Sequence, residues 1–93
     1  MGSYQGGSAP AMARQVCEGF TLLTPVLLKR LTVDQLRVLE AEIDKSLRLL
    51  RGEAVDLDDQ QGLAHRNRKI SRIEGALRVI RHVVQQKKMG RML

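Results

Sequence analysis

Ninety-three residues, 43% hydrophobic and 28% charged, with a formal net charge of +6, describe one folded domain at most and exclude wholesale disorder. Tyr4 and Phe20 are the only aromatic side chains and Cys17 the only cysteine, which excludes an intrachain disulfide and argues against sandwiches and barrels, whose cores ordinarily use rings. The longest apolar stretch, Phe20–Leu28, is interrupted by Thr21, Thr24 and Pro25 and falls short of the ~20 residues a membrane span requires. The composition predicts an all-α, soluble intracellular protein in a reducing compartment, with no membrane partner.

Met1–Ala9 is rich in Gly and Ser and reads as a flexible tail or a cloning remnant, leaving residues 10–93 as a single helical domain. Ser8 can cap a short helix with Pro10 in its first turn, ending near Gly19, with Met12, Val16 and Phe20 on one stripe. Thr24-Pro25 is a second start signal, a cap followed by the helical position where Pro costs nothing. Thr32-Val33-Asp34-Gln35 is a capping box. It opens a helix over about 33–51 whose apolar residues Leu36, Leu39, Ile43, Leu47 and Leu50 hold one face. Gly52 follows as a left-handed stop.

Asp56, Asp58 and Asp59 mark the start of a second long helix, over about 57–88. Leu63, Ile70, Ile73, Leu77, Ile80 and Val84 form its seam, interrupted only at Arg66. A connection of about five residues predicts an antiparallel hairpin. Because the second helix is longer, its C-terminal end should overhang, and Pro25–Leu31 should cover that overhang. Gly62 and Gly75 lie inside the pattern; Gly75 would permit close approach of another helix.

Charge is divided between the two long helices. Gln60–Leu93 holds nine basic and one acidic residue, whereas Thr32–Asp59 holds four basic and eight acidic. Arg66, Arg68, Lys69, Arg72, Arg78 and Arg81 form a strip that either contacts nucleic-acid phosphates or is neutralised by Glu40, Glu42 and Asp44 across the hairpin. Val38 and Leu49 lie off the first seam, and Val79 and Val83 widen the second. These four are the candidate partner interface, to be covered by a second copy of the chain or by a larger protein, in a helical bundle.

No catalytic, cofactor or metal site is expected. Glu40 and Asp44, one turn apart, read as ion-pair partners rather than an acid and base. His65 and His82 have no further ligand at metal spacing, and Cys17 reads as a packing residue.

Leu31–Arg81 resembles the small two-helix protein of the large ribosomal subunit that sits beside the peptide exit tunnel. LTVDQLRVLEAEI is similar to that family's first helix, and RKISRIEGALR to its Arg- and Ile-rich second helix. The resemblance implies RNA contacts at Arg68, Lys69 and Arg72, although the acidic GEAVDLDD stands where that family has a Gly-Gln-Leu turn. The length and the EID motif of the first long helix are also similar to the all-helical chorismate mutases. That resemblance implies a dicarboxylate held by Arg37, Arg51 and Lys69 in an entwined dimer, but the family's catalytic Lys, Asp and Glu/Gln positions are not found. Neither resemblance assigns the chain to a family. The leading expectation is a non-enzymatic assembly module without a small-molecule substrate, followed by a nucleic-acid-binding subunit and, last, a small helical enzyme.

Overall fold

A computed structural model describes residues 3–90. It is all-α, with α1 (Ala9–Cys17), α2 (Pro25–Leu28), α3 (Val33–Arg51) and α4 (Gln60–Lys88). The long pair α3 and α4 form the expected hairpin, and α1 lies in the cleft between them as a third packed helix. The single-turn α2 closes the end of the bundle against α4.

Three helix starts follow from local chemistry. The Ser8 hydroxyl accepts from the Ala11 amide, and the Thr24 hydroxyl from the Leu27 amide at 3.2 Å. At α3 the Thr32 hydroxyl accepts from Gln35 N while the Gln35 side chain accepts from Thr32 N, closing both halves of the capping box. The start of α4 falls at Gln60, three residues later than the acidic cluster suggested. Asp59 is its cap, accepting from Gly62 N at 2.9 Å. Asp56 instead accepts from Asp58 N, which turns the chain before the helix begins. Gly62 has a reason to be glycine, since a Cβ there would collide with the Asp59 carboxylate.

The core is aliphatic. Leu36, Leu39 and Ile43 from α3, Ile73, Leu77 and Ile80 from α4, and Met12 and Val16 from α1 are buried together, and no polar or charged residue is buried among those described. Each large side chain contributes about 1.5–3 kcal/mol by leaving water. The bundle therefore rests on these stripes rather than on its exposed ion pairs.

Four expectations need correction. Residues 3–9 are not a free tail: the Tyr4 hydroxyl donates to Gln35 O at 2.8 Å, and Ala9 is buried. Gly52 keeps helical angles (φ −84, ψ −7) rather than turning left-handed. The overhang lies at the other end of α4. Arg51, the last residue of α3, pairs with Glu74, so the first turns of α4 project past α3; full burial on α4 begins at Ile73, with Ile70 packed part-buried against the core. The connection over residues 52–59 is longer than expected and, at ~3.4 Å per residue, reaches that far. The C-terminal end is instead held as foreseen by the segment after Pro25: the Lys87 ammonium donates to Lys29 O at 2.7 Å and Leu31 O at 2.5 Å. This places a cation on the carbonyls of the α2 cap, Lys29, and of Leu31 just beyond it. The fourth correction concerns Phe20, which leaves the core stripe and is taken up next.

Candidate functional site

The end of α1 sets the geometry of the site. Gly19 adopts φ +85, a left-handed angle that a glycine reaches without strain. Gly19 N donates to Val16 O at 3.1 Å and Phe20 N to Gln15 O at 2.9 Å, the paired bonds of a Schellman turn. Helical periodicity would carry Phe20 onto the Met12–Val16 stripe only if the helix continued, and the turn stops it one residue too soon. Arg72 locks this arrangement from α4. Its guanidinium donates to Cys17 O at 3.0 Å and lies so close over Gly19 that a Cβ there would come within 3.0 Å of it.

The chain then leads to the Thr24 cap, which is itself extended (φ −128, ψ 157), and exposure alternates along this connection. Phe20 and Leu22 are each 82% exposed, whereas Leu23 points inward and is 5% exposed. Val26, in the first turn of α2, is also exposed. Between this connection and α4 lies a groove of about 300 Å³ lined by Val16, Leu22, Leu23, Gly75, Ala76 and Val79, with Arg72 at its margin. Gly75 leaves its floor open, because a Cβ there would meet only the Arg78 Nη2 at 3.7 Å.

The four side chains expected to form the partner interface do not form one surface. Val83 is 0% exposed, sealed inside the subunit where α2 and the chain after it pack against the end of α4. Val79 packs half-buried at the groove. Val38 and Leu49 are exposed but sit eleven residues apart along α3, about 16 Å. Phe20, Leu22 and Val26 are exposed apolar residues that the four-residue set did not include. The signal was present in Gly19 and in Thr24-Pro25, which bracket an apolar run that neither helix can absorb.

The basic strip is partly consumed by the fold. Arg81 pairs with Glu40 at 2.7 Å and Lys69 with Glu18 at 3.1 Å. Arg72 serves the α1 terminus, and Arg66 reaches Leu50 O at 3.5 Å, with its Nε buried and lacking a partner among the described residues. Asp44 pairs with Arg48 on its own helix, and no ion pair forms at Glu42 among the described residues, so the expected neutralisation is limited to Glu40. Arg68 and Arg78 have no carboxylate partner among the described residues.

A second depression of about 370 Å³ lies under the hairpin connection, bordered by Asp56, Asp59, His65, Arg66 and Lys69. It is open and mixed in charge. The subunit does not gather Arg37 with Arg51 and Lys69, because fourteen residues of α3, about 21 Å, separate the two arginines. Burial pushes the Cys17 thiol up, and a hydrogen bond with Ser46 opposes this in part. Among the described residues no group of three metal-ligating side chains occurs, and no helix is long and apolar enough to cross a membrane. Comparison with known proteins found no matching family model, curated protein or solved structure.

Proposed function

We propose that this chain is a non-enzymatic docking module that binds another protein through the groove between the Phe20–Leu23 connection and α4. One observation carries the reading: two large apolar side chains, Phe20 and Leu22, stand almost fully in water beside an apolar groove while their neighbour Leu23 is buried. An apolar patch held outward by a rigid turn serves no purpose in the stability of the subunit and is the usual mark of an interaction surface. A photo-crosslinking amino acid placed at Leu22 tests this in cells that make the protein. The expected result is a discrete protein adduct that is absent when the same group replaces Arg37. Equal labelling from both positions would refute the reading.

A second reading, contact with nucleic-acid phosphates, draws support from Arg68 and Arg78, which keep their charge unpaired within the described subunit. Its mark would be affinity for duplex RNA or DNA that falls steeply with salt and weakens on Arg68→Ala and Arg78→Ala. RNA or DNA affinity insensitive to those substitutions would eliminate it.

A further inference from the structure

Resting on the docking reading, we infer that the occupant of the groove is an amphipathic helix of another protein whose apolar face is flanked by Asp and Glu. Shape and charge both lead there. The groove is concave and mostly apolar, lined by Val16, Leu22, Leu23, Gly75, Ala76 and Val79, which suits a row of aliphatic side chains at helical spacing. The segments that bound it, residues 19–33 and 60–88, contain a single carboxylate, Glu74, and Arg51 takes it. Glu18, which precedes Gly19, is taken by Lys69. Arg72 lines the groove and donates to the Cys17 carbonyl, and Arg68, one turn earlier on α4, has no ion pair among the described residues. The margin thus offers guanidinium donors and no acceptor charge, and carboxylates beside an apolar stripe would complete it.

The same charges disfavour a second copy of the chain. A second copy brings the same bounding segments, whose one carboxylate, Glu74, is already paired with Arg51, so a two-fold contact across this groove supplies no free acid for Arg68 and Arg72. A phosphate backbone would satisfy the arginines and leave Phe20, Leu22 and Val79 uncovered.

A displayed library of peptides about sixteen residues long tests this, with a fixed Leu stripe at helical spacing and random flanking positions. Selection is on the whole wild-type chain, with counter-selection on Gly75→Leu, whose added side chain fills the groove from a position with open space around it. The expected binders are enriched in Asp and Glu, weaken roughly tenfold or more on Arg68→Glu, and lose affinity as salt rises, with helical circular dichroism unchanged in both variants. Binders with neutral or basic flanks would overturn the acidic occupant and leave the docking reading standing. Failure to find any peptide that distinguishes wild type from Gly75→Leu would overturn both. Amide shifts at Leu22 and Gly75 caused by phosphatidylserine vesicles or duplex RNA but not by acidic peptide would overturn the inference in favour of those ligands. So would a wild-type dimer that Gly75→Leu abolishes.

Discussion

Replacing Leu22 and Leu23 one at a time by alanine separates the surface from the core at adjacent positions. Leu23 is enclosed by the helices, and truncating it removes its transfer energy and leaves a cavity, about 2–5 kcal/mol in comparable sites. Taking ~3 kcal/mol, and roughly 4–8 °C per kcal/mol for a domain of this size, the melting temperature falls by ~12–24 °C. Leu22 is mostly in water, so Leu22→Ala changes stability by no more than ~0.5 kcal/mol. Urea unfolding followed by circular dichroism measures both. Equal losses would mean that the connection does not alternate as described and that the groove wall is not where the docking reading requires it. A harmless Leu23→Ala would refute the same geometry from the other side.

Gly75→Ala should stabilise the chain by about 1 kcal/mol, since it removes a helix-interior glycine and the new Cβ meets only one arginine tip; a loss of stability would show that the groove floor is closed. The partly exposed Arg81–Glu40 pair should contribute less than ~1 kcal/mol, so Arg81→Ala costs little in dilute buffer and nothing measurable at high salt. A larger, salt-independent cost would point to packing of the arginine stem instead. Because burial raises the Cys17 thiol, the folded chain retains a proton that the unfolded chain releases. That contribution is whole below the ordinary thiol range and is lost as pH rises through the folded value. The alkaline decline of stability should therefore be shallower in Cys17→Ala, and the native thiol should resist alkylation at neutral pH; an unchanged decline would contradict the assignment.

Helix boundaries were legible wherever a cap and the backbone amide that donates to it lie within four residues. Ser8, Thr24 and the Thr32–Gln35 box place three helix starts, and the Leu36–Leu47 and Ile73–Val84 stripes identify the buried faces of α3 and α4. The acidic cluster was read correctly as a start signal, but three aspartates offered three possible caps. Of the three, Asp59 is the one whose carboxylate accepts from the amide three residues on, at Gly62.

What the order of residues determined alone was an all-α chain with two long amphipathic helices, because caps and periodicity act over a few residues. Register, overhang and the fate of each surplus apolar side chain were decided by tertiary structure. Val83 and Phe20 show why. Each lies on a plausible stripe, but Val83 is buried in a cluster to which α1, α2 and α3, all more than thirty positions earlier, contribute, and Phe20 is released by a turn that Arg72 locks from the opposite helix. Burial is settled by long-range contacts, and helical spacing carries no information about which distant segment will arrive to make them.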